Sequence, residues 1–238
     1  MKLTLKKKPT KCTIIVGFPG FGLIGTIATK FLIEHLDCER IGNIESDKFL
    51  PLAAIHKEHL IGPLEIFYNK KHNLVILQTL SQVGKLEWQI SDLLVKMAKD
   101  LKAKELIILE GTQGGGEGIT KLYGYNSGGN VKKLSLDPLK EGVLMGVTAT
   151  LLLKAKKNIP VSCIFAEAKS QLPDTEAAAE IIKILDKYLG MDVNFKPLLE
   201  TAKRFEAKLK DMMNKQAQVS KEGFPGYKEE KSDMDYLG

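Results

Sequence analysis

The stretch GFPGFGLIG, residues 17–25, decides how the fold of this chain is interpreted. It follows a β-branched run at residues 13–16 and precedes an apolar-periodic segment, so it connects a predicted strand to a predicted helix. Within it, Gly20, Gly22 and Gly25 have the spacing G-x-G-x-x-G, which in dinucleotide-binding proteins places a pyrophosphate on a helix N-terminus. Two alternatives follow: an anion-binding loop, or glycines that let a helix pack closely on a strand.

Two features of the sequence count against the dinucleotide alternative. Pro19 separates the predicted strand from the first required glycine. Glu45, at the end of the next predicted strand, is suitably placed to bind a ribose hydroxyl, but no helix follows it. A Rossmann half needs a second strand–helix–strand crossover at that point. The sequence therefore favours a tight strand-to-helix turn, and an anion loop formed by Gly20, Gly22 and Gly25 remains the alternative.

The chain alternates strand-like and helical segments. Predicted strands lie at residues 13–16, 41–45, 64–68, 74–79, 106–110 and 161–166, and predicted helices at residues 24–36, 87–101, 146–155 and 174–189. Several strands are continuous Val/Ile/Leu runs, as expected where helices cover both faces of a sheet. The alternation predicts an α/β fold with a mainly parallel sheet, and the short strands and turns of residues 47–79 make that sheet mixed.

The character of the sequence changes near residue 196. Apolar or uncharged residues recur there in steps of four and three, at Leu198, Ala202, Phe205, Leu209, Met212, Gln216 and Val219. This spacing predicts a helix at residues 196–220, which either forms a coiled coil or packs against the parent domain. Residues 221–238 are polar, charged and glycine-containing, so a disordered tail is predicted. The predicted organisation is a core at 1–195, a helix and a tail.

Composition excludes several classes of partner. The chain has 238 residues and a formal net charge of +6, but its lysine clusters are not interleaved with aromatic residues, so no nucleic-acid partner is expected. No apolar run is long enough to span a bilayer, and the N-terminus lacks the apolar segment of a signal peptide. Three separated cysteines without a C-x-x-C spacing are typical of reduced thiols. We therefore expect a cytoplasmic protein without a membrane partner.

Few residues suggest chemistry. His56 and His59 lie three apart without a third nearby ligand, so no metal site is predicted. Glu110 and Glu167 follow strand-like runs, and with Glu117 and the glycines at 114–116 they form either an acid/base or cation site, or caps for neighbouring amides. The serines lack the G-x-S-x-G spacing of a hydrolase nucleophile. No catalytic residue and no cofactor is assigned.

Four stretches, in this order, resemble the proteasome assembly chaperone family, particularly its archaeal branch. They are residues 17–25 with the helix that follows, residues 106–110 running into the glycines at 111–116, residues 142–152, and residues 172–178. The resemblance spans roughly residues 12–190. It implies a three-layer, phosphorylase/hydrolase-like α/β core, a homo-oligomer, and a non-enzymatic role in assembling 20S proteasome α-rings. Some members carry an ATP-grasp-like label, so a nucleotide- or phosphate-binding enzyme is the alternative function.

The resemblance also implies a role for the C-terminus. Archaeal members of this family carry a tail that ends in a hydrophobic residue, a tyrosine and any residue, and that inserts between proteasome α-subunits. This chain ends Met234-Asp235-Tyr236-Leu237-Gly238, so its tyrosine is third from the end and follows an aspartate. One extra extended residue moves the terminal carboxylate by about 3.3–3.6 Å. Docking through Tyr236, Leu237 and Gly238 is predicted, with an acidic tail of no docking function as the alternative.

Overall fold

The structure is a computed structural model that describes residues 1–56, 58–80, 83–114, 120–155 and 159–200. Residues 1–199 form one compact unit, and a second unit begins at Glu200. Residues 196–200 are helical. The rest of the helix predicted at 196–220, and the tail predicted at 221–238, lie outside the described residues.

The described residues contain eleven strands, numbered in chain order: β1 (Lys2–Leu5), β2 (Thr13–Gly17), β3 (Glu39–Glu45), β4 (Ala54–His56), β5 (His59–Ile61), β6 (Leu64–Asn69), β7 (Leu74–Thr79), β8 (Glu105–Gln113), β9 (Leu122–Asn126), β10 (Asp137–Pro138) and β11 (Val161–Ala168). Four α-helices accompany them: α1 (Ile24–His35), α2 (Glu87–Asp100), α3 (Gly146–Ala155) and α4 (Thr175–Leu189). Short 3-10 turns occur at Phe21–Leu23 and Val131–Leu134.

Nine of these strands form one mixed sheet in the order β1-β3-β6-β7-β2-β8-β11-β9-β10. The four central strands, β7, β2, β8 and β11, are mutually parallel. Strands β6, β3 and β1 continue the sheet antiparallel on one side, and β9 pairs antiparallel with β11 on the other. The predicted α/β fold with a mixed sheet is therefore confirmed, with its parallel strands at the centre.

Helices cover both faces of the sheet, which gives three layers. Side chains of α2 and α3 pack on one face, and those of α1 and α4 on the other. Strand β2 shows why its sequence is apolar throughout: Ile14 and Val16 enter the α2–α3 core, whereas Ile15 enters the α1–α4 core. All three are fully buried, as expected for a central parallel strand.

Helix α4 begins and ends where its sequence predicts. The Asp174 carboxylate accepts a hydrogen bond of 2.9 Å from the Ala177 amide, which satisfies one otherwise unpaired donor of the first turn. Gly190 follows the last turn with φ +62°, the left-handed conformation that glycine adopts without a steric penalty. The apolar face of α4 lies against α1 and the sheet.

Three strands, including the two-residue β10, are absent from the sequence prediction. Strand β1 is only four residues long, and β9 lies in a stretch whose glycine and asparagine content is typical of a loop. Gly124 in β9 is required by packing, because a Cβ there would lie 2.6 Å from Cγ1 of Val131. A close approach between β9 and the 3-10 turn that follows it thus explains a glycine that composition alone assigns to a turn.

Candidate functional site

The glycine stretch, Glu110 and Glu167 lie at one edge of the sheet. Strands β2, β8 and β11 are parallel, so their carboxyl ends lie along the same edge. The glycine stretch follows β2, Glu110 lies near the end of β8, and Glu167 near the end of β11. In open α/β sheets this edge is where ligands usually bind, so its geometry decides between the alternatives for the glycines.

Gly17 and Gly25 bring α1 into direct contact with the backbone of the sheet. A Cβ on Gly17 would lie 2.3 Å from the carbonyl oxygen of Gly25, and a Cβ on Gly25 would lie 2.4 Å from the carbonyl oxygen of Leu109. Both distances are too short for any real Cβ. These two glycines are therefore required because the first turn of α1 lies directly against β2 and β8.

Gly22 ties the same loop to the connection between β11 and α4. Its φ of +62° is left-handed, and a Cβ there would lie 2.9 Å from the Cβ of Ala168. Its carbonyl oxygen accepts a hydrogen bond of 2.8 Å from the amide of Asp174, the residue that caps α4. The packing accounts for glycine at this position without a ligand. Anion binding by Gly20, Gly22 and Gly25 stays a prediction.

Glu45, the acidic residue considered for a ribose hydroxyl, does not lie beside this loop. It ends β3, and β6 and β7 lie between β3 and β2 in the sheet. Its carboxylate accepts a hydrogen bond of 2.6 Å from the side-chain amide of Asn43. The order of strands in the sheet thus separates Glu45 from the glycine stretch, although their two strands follow each other in the chain.

Glu110 is the most perturbed carboxyl group of this edge. Its Oε2 accepts a hydrogen bond from the hydroxyl of Thr148 in α3, and Oε1 faces Gly20, where a Cβ would lie 2.2 Å away. Burial raises the pKa of Glu110 from 4.5 to about 7, and the hydrogen bond from Thr148 lowers it in part. Near neutral pH a large share of the Glu110 side chains is therefore protonated.

Glu167 shares a face of the sheet with Glu110 but has a different partner. Register places Phe165 opposite Glu110, so Glu167 lies one pleat further along the same face. Its Oε1 accepts a hydrogen bond of 3.1 Å from the hydroxyl of Tyr123, and this bond raises the pKa of that tyrosine. The two glutamates are neighbours, as predicted from their strand ends. Glu117 and the glycines at 115 and 116 lie outside the described residues.

The contacts of Glu110 link three segments of the chain. One carboxyl group joins the loop after β2, the end of β8 and the first turn of α3. Both of its oxygens face protein atoms, whereas a general acid or base must reach a substrate proton at hydrogen-bonding distance. The geometry favours the alternative in which these carboxylates hold neighbouring segments together. Sequence reasoning missed both partners: Thr148 lies in the stretch 142–152, to which no site role was assigned, and Tyr123 belongs to no motif.

A second polar cluster lies at the opposite edge, where the central strands begin. An open cleft of about 970 Å³ is lined there by Glu105, Tyr188 and Asn126, among others. The Tyr188 hydroxyl donates a 2.8 Å hydrogen bond to Glu105, which also accepts one from Ser162. Burial, followed by the bond to Glu105, raises the pKa of Tyr188 to about 12. These residues are far apart in the chain, so no sequence spacing indicates the cluster.

Three further predictions concern metals, membranes and the C-terminus. The side chains of His56 and His59 lie outside the described residues, as do Tyr236, Leu237 and Gly238. Within the described ranges, no three His, Cys, Asp or Glu residues are grouped closely enough to hold a metal ion. No helix in the described part of the chain has the length and hydropathy needed to cross a membrane.

Comparison with known proteins points to one family. The model of the PAC2 family matches residues 14–213. An uncharacterized protein of Methanocaldococcus jannaschii is 26% identical over 225 residues, which cover 90% of this chain and 92% of that protein.

Solved structures give the same result. A crystal structure of Pyrococcus furiosus PbaA, described as an archaeal homolog of proteasome-assembly chaperone, matches with a TM-score of 0.81 and 26% identity, over 92% of this chain and 95% of that one. Pyrococcus furiosus PbaB, described as an archaeal proteasome activator, matches with a TM-score of 0.77 and 19% identity, over 89% and 98% of the two chains. At that identity the likeness to PbaB shows the fold alone.

Proposed function

The chain belongs to the PAC2 family, and on that basis we propose that it is a non-enzymatic, self-associating proteasome assembly chaperone or scaffold. The observation that carries the proposal is the likeness to PbaA, which extends over 92% of the chain at 26% identity. The described site supports it, because at the carboxyl edge of the sheet the glycine loop and Glu110 pack against other segments of the same chain.

Its partner in this proposal is the α-subunit of the 20S proteasome, reached through the C-terminal residues. Tyr236 would pack in a pocket between subunits, and the carboxylate of Gly238 would pair with a lysine, as peptide termini do in other recognition sites. Residues 196–220 would act as a spacer helix and residues 221–238 as a tether. Self-association would present several tails at once and so raise the avidity of weak individual contacts.

A binding experiment with purified α-subunits tests the tail. Intact protein is expected to capture α-subunits, whereas Tyr236→Ala, or deletion of residues 236–238, should weaken capture several-fold. Tyr227 lies in the same predicted tail, nine residues earlier, so Tyr227→Ala is a matched control that should bind as the intact protein does. Equal capture by all four proteins would refute tail docking. Failure of the intact protein to capture α-subunits would refute the proposed partner.

Self-association has a separate test. Size-exclusion chromatography with light scattering at micromolar concentration should give a molar mass that is a multiple of the 26.3 kDa chain. A mass equal to one chain would remove the oligomeric part of the proposal, whatever the result with α-subunits.

A further inference from the structure

Exposed apolar side chains are concentrated at the carboxyl edge of the sheet. Eleven large hydrophobic residues are exposed among the described residues, and eight of them belong to the connections or first helical turns of this edge: Leu50, Leu52, Ile55, Leu60, Trp88, Val143, Met145 and Leu172. Exposed apolar residues scattered singly need no explanation, whereas a concentration of them marks an interaction site. We call these eight residues the apolar edge.

The hairpin formed by β4 and β5 is the most exposed part of the apolar edge. Among the residues that the structure describes, these strands pair only with each other, outside the nine-stranded sheet. Ile55 lies opposite Leu60 in their register, so the two side chains share one face, and they are 80% and 65% exposed. A hairpin of two strands is marginal by itself in water, and each strand has an unpaired edge. Both properties favour a partner that covers it.

The approach to α3 adds a second exposed group to the same edge. Val143 and Met145 directly precede Gly146 and are 91% and 80% exposed. Trp88, in the first turn of α2, is about half exposed, and the ammonium of Lys154 lies 5.3 Å from the centre of its ring. Helix α2 follows the carboxyl end of β7, and α3 runs back to the start of β11, so both helices begin at the edge of the sheet where the hairpin lies.

The charges of the two edges differ, and the difference decides through which edge two copies of this chain can approach. Four connections at the apolar edge, residues 46–63, 80–86, 139–145 and 169–174, contain five lysines and four carboxylates. The connections at the opposite edge, residues 6–12, 36–38, 70–73, 101–104 and 127–136, contain ten lysines and one carboxylate. Like charges brought together across an interface are costly. Two copies can therefore approach through the apolar edge. The opposite edge, which we call the basic edge, would repel its counterpart in a second copy.

We propose that the apolar edge is the surface through which two copies of this chain associate, with Ile55 and Leu60 of the hairpin at the contact. The inference rests on the self-association in the proposed function and assigns it a surface. A second copy fits because it brings apolar side chains and a nearly neutral charge to a surface of the same kind. The unpaired hairpin edges can also pair with the same strands of the partner in a symmetric contact.

The test is a double variant, Ile55→Thr with Leu60→Thr. Threonine keeps a high strand propensity, so the hairpin retains its local preference while it loses its apolar face. Tyr125→Thr is the matched control, because Tyr125 is an exposed side chain on a strand near the basic edge. Light scattering should give the wild-type mass for the control and at most half of it for the double variant. Far-UV circular dichroism checks that both variants fold.

The outcomes separate this inference from the function on which it rests. If the wild type is an oligomer and the folded double variant keeps its mass, the proposed surface is wrong and self-association stands. If the wild type has the mass of one chain, self-association fails, and the inference fails with it. If the double variant keeps its mass but captures fewer proteasome α-subunits, the apolar edge binds the proteasome, which also overturns the inference.

Discussion

Replacing Glu110 by glutamine should change how the stability of this protein depends on pH. The Glu110 carboxyl group is held between Gly20 and the hydroxyl of Thr148, and burial raises its pKa from 4.5 to about 7. Glutamine has nearly the same shape and keeps an oxygen that accepts the hydrogen bond from Thr148, but it does not ionise. The variant therefore isolates the free energy of burying a charge at this position.

The sign follows from the two pKa values. Between pH 4.5 and pH 7 the unfolded chain releases the Glu110 proton while the folded chain retains it, so rising pH favours unfolding. Above pH 7 both states are ionised and this effect levels off. A tenfold change in a proton dissociation constant is worth about 1.4 kcal/mol, so the rise in pKa destabilises the wild type by about 3 kcal/mol at pH 8.

Urea unfolding at constant ionic strength, at intervals from pH 4.5 to pH 8, measures the effect. The free energy of unfolding of Glu110→Gln, relative to the wild type, should increase by about 3 kcal/mol across this range and then remain constant. Thr148→Val is a second probe, because it removes the hydrogen bond that lowers the pKa of Glu110. With Glu110 present, Thr148→Val should extend the pH-dependent loss of stability to values above pH 7. In the double variant with Glu110→Gln, Thr148→Val should add no pH dependence.

A difference between wild type and Glu110→Gln that stays constant with pH would refute this reasoning. It would mean that water reaches the carboxylate, or that the loop around Gly20 moves away when Glu110 ionises. A decrease with pH would mean that the folded state favours the charged form, which requires a cationic partner for Glu110. In either case the description of Glu110 as a partly buried junction between β8, α3 and the glycine loop would be wrong.

Two further predictions concern the glycine stretch. Gly25→Ala should lower the free energy of unfolding, measured by chemical denaturation, by at least about 2 kcal/mol, because the new Cβ would lie 2.4 Å from the carbonyl oxygen of Leu109. The control Gly84→Ala places its Cβ where no atom lies within 4 Å, so it should change stability by less than about 1 kcal/mol. Similar costs for the two variants would contradict the packing explanation. Millimolar ATP, NAD or inorganic phosphate should leave the melting temperature unchanged if these glycines serve packing alone, and a saturable increase with one of them would instead support the anion-loop alternative.

The sequence predicts the layers of this fold better than it predicts the neighbours within the sheet. Continuous apolar runs such as Ile14, Ile15 and Val16 indicate a strand covered on both faces, and the structure confirms this. The position of Glu45 depends on β6 and β7 inserting between β3 and β2, and no local pattern encodes that order. The bond between Tyr188 and Glu105, which are 83 positions apart, is equally invisible to periodicity.

The glycine stretch and the apolar edge together favour a protein partner over a small ligand at the carboxyl end of this sheet. In a nucleotide-binding α/β protein the turn after the first strand leaves its amides open to a phosphate, and the crevice beside it is the binding site. Here Gly20 faces Glu110, and Gly22 faces Ala168 and accepts a hydrogen bond from the amide of Asp174 through its carbonyl oxygen, so other segments of the same chain pack against the loop. An anion at Gly20 would also lie beside a carboxyl group that ionises near pH 7, and the two charges would repel. The exposed groups of this edge are instead aliphatic and aromatic, and association with another protein surface is the interaction that such groups stabilise.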